Sequence, residues 1–426
     1  MIENKKKSEK KLTRHDFLKG AAASVVVVAV IAVFAAVLMS CTDERDFTYH
    51  GNLDNIILTS NVSSSITLPA GMSIKSPYDG VNWNTFGQYK SALHTHSTRS
   101  DGANTLAQMI EEKYRQDFDI VAMTDHNITN NSWITGLGRL DAERYNAMVA
   151  GTAPKIKLDG TFETTPRGRG ILRLSFTNEQ SRSDHINSFW ADYNNASGVS
   201  FANNIQAVGT AGGISFLNHI GRYSHKNAED PAVRIQVSND PVQIEKYADL
   251  FLDNPSLVGL EIINRRDRET YSDRILWDNI LKVTIPQDRN VWGFSTDDSH
   301  SASPSENGNS YSMLLMSALT ETEARSAMEK GRHYAVAKVS RLELGESFYG
   351  DAKFPPTIKS ITVNRGSITI TTENITRIDW ISDGIVIGTT TVSSSTFDTS
   401  KIGSYLRANL MGPGGIVFTQ PFIISE

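Results

Sequence analysis

The 426-residue chain has a single cysteine, Cys41. One thiol closes no disulfide and builds no thiolate metal cluster, and once committed to lipid it is lost as a nucleophile too. Positive charge is also in deficit. Lys and Arg number 42 against 47 Asp and Glu, and with residues 1–40 set aside the balance is 35 against 44, a net of −9. Such a surface repels nucleic acid at long range, so strong nucleic-acid binding is not expected, whereas a small phosphorylated ligand is not excluded. No histidine lies beyond His333, so the C-terminal stretch offers no imidazole to any site. The hydrophobic fraction, 39%, is that of a globular protein, and the length predicts two domains.

Residues 1–41 read as an address rather than as structure. Lys5, Lys6, Lys7, Lys10 and Lys11 precede Thr13–Lys19, which leads into nineteen residues, Ala21–Met39, with Ser24 the only polar one. At about 1.5 Å per residue this run is long enough to span a bilayer, which makes a permanent single-pass anchor one reading. The other is removal, because Leu38-Met39-Ser40-Cys41 resembles a bacterial lipobox, whose cysteine is lipidated and becomes the new N-terminus. Thr13–Lys19 resembles a twin-arginine export motif with His15 in place of the second arginine. The expectation is an exported, cell-envelope lipoprotein held at the membrane through Cys41, or else through the uncleaved helix.

Residues 42–85 are rich in Ser, Thr, Asn and Gly and read as a spacer or a small β segment. From residue 86 strands and helices alternate, and the strands end in polar clusters. Ser91–His94 enters the first; a helix is expected over Thr105–Gln116 with Asn104 as its cap; Phe118–Thr124 runs into Asp125-His126. Ile171–Phe176 leads to Glu179, Gly213–Leu217 to His219, and Val291–Ser295 to Asp297-Asp298-Ser299-His300. Leu257–Ile263 contains Glu261. Further helices are expected over Pro241–Leu252, Ser272–Val283 and Glu321–Lys330, the last closed by Gly331. The run from Asn127 to Gly170 is long for a strand–helix connection and reads as a lid or a surface excursion. Residues 343–426 show short β runs broken by turn signals, which suggests a small β-sandwich.

The clusters have the composition of a multinuclear metal site. His94 and His96 alternate along a strand and so share a face, where two imidazoles can hold one divalent ion. Asp101 adds a carboxylate; Asp298 and His300 repeat the alternation. Asp125 is placed to orient His126. Glu179 is placed to bridge two ions, with His185 as a terminal donor; His219, after an apolar strand, reads as a donor or as a buried core histidine, and His225 is a rival to either. Arg99, Arg222 and Arg265 follow strand ends where a guanidinium can grip phosphate bidentately. Asp297, beside Asp298, either orients a ligand or handles a proton.

In their order, His94-x-His96, Asp101, Thr124-Asp125-His126-Asn127, Glu179, His185, Asn218-His219 and Asp298-x-His300 resemble the polymerase and histidinol phosphatase (PHP) domain, over residues 86–342. The resemblance implies a distorted (β/α)7 TIM-like α/β barrel around two or three divalent ions. His94, His96, Glu179 and Asp298 would hold one, Glu179, His185 and His219 a second, and Asp101, His126 and His300 a third. Imidazole and carboxylate without thiolate suit Zn, Mn or Fe. The implied activity is phosphatase or phosphodiesterase chemistry, hydrolysis of phosphate esters by a metal-activated hydroxide at this trinuclear site, on small phosphorylated substrates outside the cytoplasm, with Asp297, Arg222 and Arg265 as the candidate catalytic side chains. A nuclease or nucleotidase, and a non-catalytic metal-containing surface lipoprotein, remain as alternatives.

Overall fold

Two open β-sheets, joined at a few isolated bridges, carry the polar clusters. The computed structural model describes residues 62–426, apart from 137, 227, 351–353, 365, 392 and 426. The Ala21–Met39 run and Cys41 lie outside the described residues, among which no helix is long and apolar enough to cross a membrane.

The smaller sheet has five strands in the order Trp292–Thr296, Leu257–Asn264, Ile214–Leu217, Ile186–Phe189, Asn178–Gln180. The first three are parallel, Ile186–Phe189 runs antiparallel to them, and Asn178–Gln180 runs antiparallel to Ile186–Phe189. In the larger, Gly87–Ala92 lies between Ile120–Val121, its parallel neighbour, and Ser310–Met316, which runs antiparallel to it.

That last pairing explains why the expected barrel is not closed. A strand has two hydrogen-bonding edges. Ser310–Met316 occupies one edge of Gly87–Ala92, so the two sheets share no backbone ladder among the described residues; Ser295 of the smaller sheet meets the larger through the Ser312 hydroxyl and the Val336 carbonyl, and backbone bridges form beyond the strand ends. There Thr95 bridges Ser299 and His126 bridges Glu179, and the His96 amide donates to the Ser299 carbonyl at 2.9 Å. The seams thus fall at the polar clusters themselves.

Local sequence sets most of the elements. The helix Leu106–Arg115 begins with a capping box: the Thr105 hydroxyl accepts from the Gln108 amide while the Gln108 side chain accepts from the Thr105 amide. Thr105, not Asn104, is therefore the cap. Gly331 closes Glu321–Lys330 at φ 68°, a left-handed conformation that suits glycine.

Of the two readings of residues 42–85, spacer or small β segment, the strands within 62–85 agree with the second. Val62–Thr67 pairs with Ser367–Glu373, its exposed face joined by hydroxyl pairs such as Ser65–Thr369 at 2.8 Å, and Ser73–Lys75 pairs with Phe422–Ser425. The strands after residue 343 form two layers over one shared apolar core that includes Ile66, Ile370 and Trp380, whose indole donates to Ser64 at 2.9 Å. One of these layers is continuous with the larger sheet through Gly415–Phe418 on His333–Ala337, so the sheet does not break at 343.

Candidate metal centre

Each candidate donor sits at or just beyond a strand end. Gly87–Ala92 runs on to His94 and His96, Ile120–Val121 to His126, Ile214–Leu217 to His219, and Trp292–Thr296 to Asp298 and His300; Glu179 lies within Asn178–Gln180, and His185 precedes Ile186–Phe189. His219 and Asp298 hold left-handed φ values of 27° and 44°. For residues with a Cβ such conformations are costly and persist only where the surroundings enforce them, a pattern that concentrates at functional sites.

Five imidazoles converge on the Glu179 carboxylate, and Asp298, Asp101 and His300 join through those histidines. Oε1 of Glu179 lies 3.3 Å from His94 Nε2, 2.9 Å from His185 Nδ1 and 3.4 Å from His219 Nε2. Its Oε2 lies 2.8 Å from His126 Nδ1 and 3.4 Å from His96 Nε2. Oδ1 of Asp298 is 3.2 Å from Nε2 of both His94 and His96. Oδ2 of Asp101 is 3.3 Å from His126 Nε2 and 3.2 Å from His300 Nε2.

Four sets of donor atoms are mutually within 4.8 Å: His96, Asp101, His126 and His300; His94, His219 and Asp298; His94, His96 and Glu179; His126, Glu179 and His185. All nine expected residues are thus brought together, in a partition that differs from the expected one. His96 joins the Asp101 set, and His219 falls with His94 and Asp298 while remaining near Glu179.

These residues fit divalent ions on two counts. Two ligands each about 2.1 Å from an ion at tetrahedral angles are about 3.4 Å apart, close to the separations between His94, His96, His219, Glu179 and Asp298. Second, His94 Nε2, His96 Nε2, His126 Nδ1 and Asp298 Oδ1 are buried without a hydrogen-bond partner, a state that buried polar atoms seldom tolerate. Burial alone would raise the Glu179 carboxyl, but the surrounding histidines, His94 foremost, hold it well below the usual carboxylate range. Burial likewise opposes ionisation of Asp298, and His94, Arg265 and His96 outweigh it.

A supporting layer fixes the donors. His94 Nδ1 donates to Glu261 Oε1 at 2.7 Å, which turns Nε2 toward Glu179 and Asp298. Glu261 also accepts from Thr296, from the His219 amide and from Asn264. Asn218 Nδ2 donates to Glu179 Oε1 at 2.7 Å. Sequence reasoning gave Glu261 no role; its one signal was an acid inside an otherwise apolar strand, Leu257–Asn264, every residue of which is buried.

Some expectations are corrected. Asp125 does not orient His126: it accepts from the Ser97 amide at 2.7 Å, the hydroxyls of Ser97 and Ser100, and Asn130, and so braces the turn that presents Asp101. Asp297 accepts from three successive amides, Gly308, Asn309 and Ser310, at 2.7–2.9 Å and pairs with the buried Lys113 at 3.3 Å. Both its oxygens are engaged in holding the chain, although Asp297 also lines the cleft. His225 is buried outside the four donor sets. Arg99 is turned to Asn130.

The centre opens into a cleft of 770 Å³ that Asp101, Asp298 and His300 share with five arginines, Arg222, Arg265, Arg266, Arg268 and Arg341. Arg265 reaches the donors themselves, its Nε 3.1 Å from Asp298 Oδ2 and its Nη2 2.8 Å from His300 Nδ1. The arginine-bearing turn is held from behind by Arg274, fully buried, which makes a bidentate pair with Asp267 at 2.6 and 2.8 Å and a second with Glu343. The helical piece of the long excursion, Ala142–Val149, does not cap this cleft. It packs beside Leu106–Arg115 through an Arg144–Glu111 pair and lines a separate cavity of 630 Å³.

No family model matches the chain. A segment of 84 residues, 20% of the chain, is 31% identical to the DNA polymerase/3'-5' exonuclease PolX of Bacillus subtilis, and the match spans 14% of that protein's length. Among solved structures, a two-domain protein from Bacteroides vulgatus containing a predicted PHP-like metal-dependent phosphoesterase aligns with a TM-score of 0.43 and 12% identity, over 80% of this chain and 96% of that one. A lesion-specific endonuclease of Pyrococcus furiosus aligns with a TM-score of 0.33 and 14% identity, over 57% and 56% of the two chains.

Proposed function

We propose that this chain is a metal-dependent phosphoester hydrolase acting on small phosphorylated molecules. The observation that carries the reading is the pairing of two features: nine imidazole and carboxylate side chains, Glu179 at their centre, and a cleft where five arginines stand among the acids, with Arg265 reaching Asp298 and His300. An anion drawn by guanidinium groups toward a cluster of metal donors is what phosphate-ester hydrolysis requires.

His94, His96, Glu179 and Asp298, with His219 and His185 beside them, would hold two ions, and Asp101, His126 and His300 a third. Bound there, divalent metal lowers the pKa of water to about 7 and neutralises phosphate charge. The rest falls to the protein. Arg265 grips a non-bridging phosphate oxygen while tying Asp298 and His300 in place, and Arg222, which lines the same cleft, adds a second cation. Glu261 holds the ring of His94, and Asn218 holds Glu179. The identity of the metals, Zn, Mn or Fe, belongs to the same proposal, as does attachment to the cell envelope through Cys41 or the Ala21–Met39 run.

A second reading, hydrolysis at nucleic-acid ends, draws on the local similarity to the polymerase–exonuclease. Turnover by metal-loaded protein on a phosphomonoester, a phosphodiester and a single-stranded oligonucleotide separates the two. Preference for the small esters supports the first reading, and preference for the oligonucleotide replaces it with the second. Bound metal with no turnover on any of the three would leave a binding protein.

A further inference from the structure

Beside the main cleft lies a smaller cavity of 310 Å³, lined by Arg234, Asn264, Arg265, Arg268 and Glu269. Arg265, Arg268 and Glu269 line both spaces, so a molecule whose phosphate lies against His300 and Arg265 reaches the side cavity past the same arginine. Resting on the phosphoesterase reading, we propose that this cavity takes the alcohol part of the substrate and that this part is polyhydroxylated, a sugar or a cyclitol.

The lining decides the chemistry. Among the described residues it contains no aliphatic or aromatic side chain, which disfavours alkyl, aryl and nucleobase groups that need an apolar wall. Asn264 is 1% exposed, and its Nδ2 is spent on Glu261 Oε2 at 2.9 Å. Its Oδ1 is buried without a hydrogen-bond partner. Glu269 supplies two acceptor oxygens. The guanidinium groups supply donors, although Arg234 is already turned to the backbone carbonyls of Ala228 and Arg268 and serves as fixed wall.

A ligand facing acceptors and donors together must do both, and a hydroxyl is the small neutral group that does. An ammonium group would also satisfy Glu269; Arg265 and Arg268 are neutralised by Asp298 and Glu229, so the charge that opposes it is that of Arg234, hydrogen-bonded to backbone carbonyls alone. The volume stands at the small end of ligand pockets, suited to a single ring rather than a base-paired nucleotide. The wall is rigid: Arg265 and Asp267 hold left-handed φ values of 53° and 58°, and the bidentate Arg274–Asp267 pair pins the turn.

The test compares kcat/KM of the metal-loaded full chain on ribose 5-phosphate, glucose 6-phosphate and myo-inositol 1-phosphate with that on p-nitrophenyl phosphate and butyl phosphate. The expected result is a preference for the polyol esters of about tenfold or more, the size of one buried hydrogen bond, and a fall of that ratio in Glu269→Leu. An aryl or alkyl ester in the lead, or a ratio that Glu269→Leu leaves unmoved, overturns the proposal. Should the protein hydrolyse no ester, calorimetry still decides the cavity. Tighter binding of myo-inositol 1-phosphate than of inorganic phosphate, with the difference lost in Glu269→Leu, sustains it; equal affinities overturn it.

Discussion

His94 and Glu261 form a buried imidazole–carboxylate pair at 2.7 Å, with the other nitrogen of His94 directed at Glu179 and Asp298. Glu261 therefore sits behind the metal centre rather than in it, and its second oxygen fixes the His219 backbone. Such outer carboxylates set the tautomer and direction of a ligating histidine, and their loss typically lowers metal affinity about 10–100-fold. Glu261→Gln should weaken the tightest ion by that amount in a calorimetric titration, with circular dichroism unchanged. Wild-type affinity in the variant would show that His94 needs no such support.

Asp297 offers a contrast with its neighbour Asp298. Because it caps three amides and neutralises the buried Lys113, Asp297→Asn should leave an unpaired buried ammonium and cost about 3–5 kcal/mol of stability. Denaturant unfolding measures this directly. The folded fraction should retain its kcat; a kcat lowered a hundredfold at unchanged stability would place Asp297 in the chemistry.

Arg265 touches two metal donors and faces the cleft, so Arg265→Ala removes a charge-assisted contact to phosphate worth about 1.5–3 kcal/mol. A loss of roughly 10–150-fold in kcat/KM on phosphate esters is expected. Arg222, exposed at the mouth, should matter less, and steady-state kinetics on both variants gives the order.

That the candidate donors would come together was legible because polar clusters placed after apolar runs fall together at strand ends. His94-x-His96 and Asp298-x-His300 announce themselves in this way. Glu261 was hidden, since nothing in a strand's alternation tells a buried acid that supports a histidine from a defect. The barrel's failure to close was hidden too: it depends on the later strand Ser310–Met316 taking an edge of Gly87–Ala92, a contact more than two hundred residues away in sequence. The same holds for Val62–Thr67, whose Ser and Thr residues read as spacer or strand alike until a partner strand gives their hydroxyls something to pair with.

Away from the centre, burial pushes the His333 imidazole down to about 4, and its ring stacks on Phe294 at 4.4 Å. Its folded value is below its unfolded one, near 6.5, so the unfolded chain binds more protons between the two. The contribution is therefore fully present above pH 6.5 and is lost as pH falls toward 4. Wild type should lose stability over that window relative to His333→Phe, at up to about 1.4 kcal/mol per pH unit. Parallel denaturation midpoints for the two proteins from pH 7.5 to 4.5 would contradict this.

The central claim, that the side chains around Glu179 hold ions which this chain uses to cleave phosphate esters, is tested most directly by one paired measurement. Metal-stripped protein is reloaded with Zn, Mn or Fe, and bound metal and phosphate release are determined on the same sample beside His126→Ala. The account predicts two or three ions per chain and turnover that appears on reloading and is lost in the variant. Fewer than two ions, or hydrolysis that survives metal removal, would contradict it.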